Sequence, residues 1–162
     1  MYEFLEETVR TNMTHSAKAV APETTVGDLL RLFAIDDVDA YPVVSGGRLI
    51  GIASKADALK AFALKPDSVV PHYDDAMGTT IGELMTNHVM TVDPDTRLQR
   101  VLHLMGSHHF KSLPVVDSKN RLLGMIARED VIRALARCNR RPSPPPQPLA
   151  LVAPAVGYYA IA

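Results

Sequence analysis

At 162 residues the chain is long enough for one compact domain or for two small halves sharing a core, and an apolar content of 47% can fill that core. Its formal charge of -1, from 17 basic and 18 acidic residues, supplies no basic stripe to neutralise a phosphate backbone, which argues against nucleic acid as a partner. The single cysteine, Cys138, excludes an intramolecular disulfide framework.

The opening Met1-Tyr2-Glu3-Phe4-Leu5-Glu6-Glu7 lacks the basic and apolar regions of a signal peptide, so a cytoplasmic protein is expected. From Met13 onward the chain says part of itself twice. Residues 13–44 align with 85–116 at an offset of 72, with ten of 32 pairs identical, and residues 48–62 align with 121–135 at 73, with five of 15 identical. The shared residues include Met13-Thr14 with Met85-Thr86, Pro22 with Pro94, Pro42-Val43-Val44 with Pro114-Val115-Val116, Gly51 with Gly124 and Asp57 with Asp130. A repeat of this length implies two copies of one supersecondary unit folded against each other, with any binding site in the seam.

Each copy reads as strand, helix, strand, strand, helix. In the first, Val26, Leu29, Leu30 and Phe33 have the i, i+3, i+4, i+7 spacing of an amphipathic helix, opened by a loose Thr25/Asp28 cap. Tyr41-Pro42-Val43-Val44, the turn Ser45-Gly46-Gly47 and the following apolar run predict a β-hairpin, and a closing helix starts near Ser54 and runs to Phe62. Proline inside a strand lacks a ladder N–H, so Pro42 and Pro114 belong at a strand start or an edge, which would leave backbone groups free for a ligand.

Residues 63–79, with Pro66, Pro71 and Gly78, read as a linker that ends at the capping box Thr80-Ile81-Gly82-Glu83. The second copy opens its helix with another capping-box pattern, Thr96-Arg97-Leu98-Gln99, and repeats the apolar stripe as Leu98, Val101, Leu102 and Met105. Leu113-Pro114-Val115-Val116, the longer turn Asp117-Ser118-Lys119-Asn120 and a closing helix from Ala127 to Leu135 follow. The expected organisation is repeat 1 at 1–62, linker at 63–79, repeat 2 at 80–137 and a tail at 138–162. In that tail Arg140 to Pro148 reads as extended polyproline-like chain, and the apolar run Leu149 to Ala162, 14 residues broken by Pro154, is too short for a membrane span.

The order Met-Thr, Val-x-Pro-x-Thr, amphipathic helix, apolar-Pro-Val-Val, Gly and [Ser/Thr]-x-x-Asp, met twice over about residues 9–137, resembles the cystathionine-β-synthase (CBS) domain, and the two copies resemble a CBS pair, or Bateman module. The resemblance implies an α+β fold, two tandem β-α-β-β-α repeats packed with pseudo-twofold symmetry. It also implies a regulatory, non-catalytic module that binds AMP, ADP, ATP or S-adenosylmethionine between the repeats, with no catalytic cofactor, and that forms a homodimer.

In that family a [Ser/Thr]-x-x-Asp at the head of the last helix holds the nucleotide, with Asp on the ribose hydroxyls. The first copy has Ser54-Lys55-Ala56-Asp57; the second, Ala127-Arg128-Glu129-Asp130, keeps the carboxylate and loses the hydroxyl. A carboxylate accepts from both hydroxyls of a cis-diol, and a helix start offers N–H groups and positive dipole to phosphate. With the Asp of one copy facing the opening strand and the proline strand of the other, the Asp57 cleft would add Thr86, Met90, Thr91, Leu113, Pro114 and, toward the phosphate, Lys111. The Asp130 cleft would add Thr14, Lys18, Ala19, Tyr41, Pro42 and Asp39, and is expected to be the weaker site because Asp39 would repel what Lys111 attracts.

Ser54 and Asp57 read equally as an ordinary N-cap with an acidic first turn, and Lys111 as a solvated surface lysine. The return of Asp at position 130 without the cap residue favours a ligand role. His108-His109 has no ligand partner at helical spacing for a metal, though one of the two could reach a phosphate at the cleft mouth. A competing reading makes the chain a dimerisation or scaffold module with vestigial clefts, its apolar tail 142–162 docking on its own dimer or a protein partner. An enzyme is the weakest reading: no glycine-rich phosphate loop and no nucleophile–base set is present.

Overall fold

The structure, a computed structural model, describes residues 2–63 and 72–138; the tail beyond 138, and with it the docking expected there, lies outside the described residues. Two short helices, α1 (Tyr2–Glu6) and α2 (Val9–Asn12), lead to β1 (Thr14–His15), after which α3 (Val26–Ile35), β2 (Ala40–Ser45), β3 (Arg48–Ser54) and α4 (Lys55–Lys60) complete the first copy. Then α5 (Tyr73–Gly78) and α6 (Ile81–Leu84) lead into the second copy, α7 (Leu98–His108), β4 (Ser112–Val116), β5 (Leu122–Ala127) and α8 (Arg128–Cys138).

Both expected hairpins form. β2 pairs antiparallel with β3 and β4 with β5, each ladder slipping at the same place, between Val43 and Val44 and between Val115 and Val116. The first turn is closed by Gly46 and Gly47 at φ +56° and +76°, a backbone hand that suits glycine and a tight hairpin; the longer second turn uses Asn120 at φ +59°. Pro42 and Pro114 lie on the outer edge of their hairpins, where the absent N–H removes no ladder bond. Their carbonyls are not left for a ligand, however: each accepts from a valine of the same copy, Val20 N–H at 3.0 Å and Val92 N–H at 3.1 Å.

The copies are crossed. Thr14 pairs with Met125 on β5, and Thr86, its repeat equivalent, pairs with Ile52 on β3. Val9 and Arg10 N–H donate to the carbonyls of Thr96 and Pro94, while Ile81 and Gly82 N–H donate to those of Thr24 and Pro22. The lead-in of one copy therefore finishes the core of the other: Phe4, Val9 and Met13 pack with Val101, Leu113, Val115 and Ile126, and Ile81, Leu84 and Met85 pack with Val26, Leu29, Tyr41 and Val43. At about 1.5–3 kcal/mol for each fully buried large apolar side chain, these exchanged residues hold the two copies together. Gly51 and Gly124 recur because the crossing needs them. A Cβ on Gly124 would collide with the Thr14 carbonyl oxygen, and one on Gly51 would stand 3.1 Å from that of Thr86 and closer still to the Met85 sulfur.

The structure departs from the expected pattern in two places and adds a helix in a third. The Thr96/Gln99 capping box does not form: α7 starts at Leu98 with Arg97 as its N-cap, and the Thr96 hydroxyl donates to Asp93 at 3.0 Å, because the acidic Pro-containing turn before it offers a nearer acceptor. The looser pair caps instead, Thr25 Oγ1 accepting from Asp28 N–H at 3.2 Å. The expected linker contains α5, whose Ala76 is buried and whose Met77 lies against Gly27. The buried stripe of α7 is rotated from the expected one: Leu104 joins Leu98, Val101 and Met105 in the core, and Leu102 is left 45% exposed.

Candidate functional site

Each closing helix begins with a carboxylate folded back onto its own start, and both carboxylates are buried, Asp57 and Asp130 each being only 4% exposed. Around Asp57 the box is complete. The Ser54 hydroxyl donates to Asp57 Oδ2 at 2.6 Å and accepts from Asp57 N–H, Ser54 N–H donates to the same Oδ2 at 2.9 Å, and Lys60 reaches Oδ1. Burial pushes this carboxyl up, but the hydrogen bonds from Lys60 and Ser54, with the Lys60 charge, outweigh it and hold its pKa below the ordinary value. Asp130 Oδ2 accepts from Ala127 N–H at 2.8 Å and Oδ1 pairs with Arg133, with no hydroxyl to add a further bond. The second carboxylate thus keeps one more acceptor position open than the first.

A cavity of about 680 Å³ lies against Asp130. The second copy contributes Asp130, Glu129, Arg133, Met125, Ser112 and Lys111; the first contributes Thr14, the Ser16–Lys18 segment and the stretch from Ile35 to Pro42. Its size falls within the range of small-ligand pockets. On the first-copy wall Lys18 Nζ donates to Asp36 at 2.7 and 2.8 Å, and the buried Tyr41 hydroxyl donates to the same carboxylate at 2.6 Å. Lys18, then Tyr41, hold Asp36 below the usual carboxylate range against the opposing effect of burial, while burial and then Asp36 push the Tyr41 phenol well above its ordinary value.

The sequence-derived residues divide between two places. Thr14, Lys18, Tyr41, Pro42, Asp39 and Asp130 line this cavity; Ala19 does not. Ser54 and Asp57 stand at the head of α4, outside its lining, with Thr86 bridged to Ile52 two residues before Ser54. Met90 is exposed, Thr91 is half-buried, and Leu113 and Pro114 are buried in β4. Lys111 was expected to serve the Asp57 cleft, but it lines the Asp130 cavity and donates to Asp39 Oδ1 at 2.8 Å. Residues 39 and 111 are repeat equivalents, so their contact places them near the pseudo-twofold axis that relates the two copies. The Lys111 carbonyl accepts from Arg128 N–H at 2.9 Å, which ties its main chain to the head of α8.

Sequence reasoning missed Ile35, Asp36, Val38, Glu129 and Arg133 in the lining. The signal for Arg133 was present, since Lys60 and Arg133 each stand three residues after an aspartate of the repeat. His108 stacks on Phe110, and His109 lines a different, apolar groove with Leu102, Met105, Ile132 and Leu135.

The family model for the CBS domain matches residues 7–64 and 81–137. An uncharacterised protein of Methanocaldococcus jannaschii, MJ1426, is 29% identical over 133 residues, covering 67% of this chain and 79% of that protein. A second protein of that archaeon, MJ0188, is 33% identical over 123 residues, 75% of this chain but 42% of its own length, so the chain spans less than half of that relative. The crystal structure of CBSX2 from Arabidopsis thaliana in complex with AMP superposes with a TM-score of 0.69 at 29% identity, covering 82% of this chain and 98% of that one. With two matched repeats crossed into one fold around a seam, the chain belongs to the CBS domain family.

Proposed function

We propose that the chain is a non-catalytic regulatory module that binds an adenosine-containing ligand in the cavity beside Asp130, and that it changes shape or association when it does. The observation that carries this reading is the cavity itself, built from both repeats, with a buried carboxylate on its wall that retains acceptor capacity. The likeness to CBSX2, solved with AMP, supports the ligand class. Asp130 would accept from the ribose diol, Ile35 and Val38 offer apolar surface to a base, and Thr14 and Ser16 offer hydroxyls at the rim. A regulatory outcome requires different affinity for two arrangements of the copies. Isothermal calorimetry with AMP, ADP, ATP and S-adenosylmethionine tests the reading; heat from none of them removes it.

A second reading, homodimerisation, is favoured by the exposed apolar surface of α7 and α8, where Leu102, Ile132 and Leu135 border a groove of about 260 Å³. A second copy would cover it. Mass in solution for wild type and Ile132→Glu distinguishes the cases: a dimer converted to monomer supports the reading, and a monomeric wild type ends it. Among the described residues no helix is long and apolar enough to cross a membrane.

A further inference from the structure

The charges around the cavity are matched in pairs before any ligand arrives. Lys18 holds Asp36, Lys111 holds Asp39 and Arg133 holds Asp130, so each of the three basic side chains of the lining already has a carboxylate. Asp37 and Glu129 also line the cavity and have no ion-pair partner among the described residues. Three basic and five acidic side chains leave a formal charge of -2. The positive end of the α8 dipole, which elsewhere receives phosphate, is occupied here by Glu129 and Asp130 in its first turn.

We infer that this cavity selects adenosine ligands whose 5′ substituent is neutral or cationic, such as a thioether or a sulfonium, over 5′-polyphosphates. The inference rests on the proposed adenosine reading of the same cavity. A polyphosphate that reaches Lys18, Lys111 or Arg133 meets a cation whose charge a neighbouring carboxylate already offsets, and that carboxylate repels it. A neutral substituent leaves all three pairs intact. A sulfonium, as in S-adenosylmethionine, finds Asp37 and Glu129 available to it. Most of these groups face solvent, Lys111 and Asp39 being 63% and 46% exposed, so added salt should narrow the discrimination.

The test is calorimetry on the full chain with 5′-methylthioadenosine, S-adenosylmethionine and ATP, without divalent cations, at low and at high salt. Methylthioadenosine and S-adenosylmethionine should bind at least about tenfold more tightly than ATP at low salt, from like-charge repulsion in a partly solvated site. Asp39→Asn, which removes one negative charge and releases Lys111, should shrink that ratio by about threefold to tenfold. Asp39 is half exposed, and the change leaves the core untouched. ATP binding as tightly as methylthioadenosine, or a ratio unmoved in Asp39→Asn, would overturn the charge selection and leave the adenosine reading standing. Binding of none of the three would overturn both.

Discussion

The two closing helices carry the same carboxylate on the same scaffold, and one hydroxyl sets them apart. At α4, the Ser54 hydroxyl adds a donor to Asp57, so that serine, backbone and lysine together take up acceptor positions that a sugar would need. At α8, Ala127 provides only its backbone N–H, and Asp130 stands on the wall of a cavity. The copy whose motif is complete in sequence is the one whose aspartate is more fully committed to its own fold. A capping residue and a ligand compete for the same lone pairs, so the motif by itself does not rank the two clefts.

Removing each carboxylate in turn should separate the two roles, and this is the largest effect expected. Asp130→Ala should weaken binding of an adenosine ligand by about tenfold to a hundredfold, the equivalent of charge-assisted hydrogen bonds worth roughly 1.5–3 kcal/mol. Asp57→Ala should leave that affinity within about threefold and instead destabilise the fold by about 1.5–3 kcal/mol, since a buried, bonded carboxylate is lost. Calorimetry and urea unfolding on both variants read the two axes. Equal loss of affinity in the two variants would erase the distinction between the helices.

The crossing can be broken at its glycines. Gly124→Ala forces a methyl against the Thr14 carbonyl, and Gly51→Ala forces one against Met85 and Thr86. Overpacking of this kind costs about 1–3 kcal/mol. Gly124→Ala should be the worse of the two, because its nearest obstacle is backbone, whereas at Gly51 it is the movable end of a methionine. Denaturant midpoints of the two variants give the order directly.

The repeat, both hairpins, the two helices of each copy and the pairing of Asp130 with Thr14, Lys18, Tyr41 and Pro42 were legible in the sequence, because a constant offset carries geometry as well as identity. The exchange of lead-in segments was not. It is made by single bridges such as Thr8 with Arg97 and Thr80 with Thr25, and by helices of four to six residues, too short to print a 3.6-residue period. The lining from Ile35 to Val38 escaped notice because it lies where α3 gives way to irregular chain, beyond the apolar stripe that marks the helix. The committed state of Asp57 depends on where a serine hydroxyl and a lysine ammonium point, which spacing does not encode.

Exchanging the hydroxyl between the helices tests the comparison on a smaller scale. Ser54→Ala should cost about 0.5–2 kcal/mol as a lost N-cap. Ala127→Ser should stabilise α8 by up to about 1 kcal/mol while lowering ligand affinity, because the new hydroxyl would claim the acceptor position left open on Asp130. A gain in both stability and affinity in Ala127→Ser would count against competition for lone pairs. Thermal unfolding with and without methylthioadenosine measures both quantities on one sample.

The smallest expected effect is in the acid limb of stability. Asp57 is held below the ordinary carboxyl value in the folded chain, so its contribution is fully present above the unfolded pKa near about 3.9 and drains away as pH falls through the folded value. Asp36, held down by Lys18 and Tyr41, and Asp117, held down by its bonds to Arg121 and Lys119, act in the same direction. Ser54→Ala takes away one of the hydrogen bonds that depress Asp57, the one donated by the Ser54 hydroxyl, so its folded pKa rises toward the unfolded one. The acid-unfolding midpoint of Ser54→Ala, followed by circular dichroism, should therefore move to higher pH by about a few tenths of a unit. Since Asp36 and Asp117 keep their partners in that variant, the remaining acid sensitivity should match wild type, and a midpoint shifted to lower pH would contradict the role given to the serine.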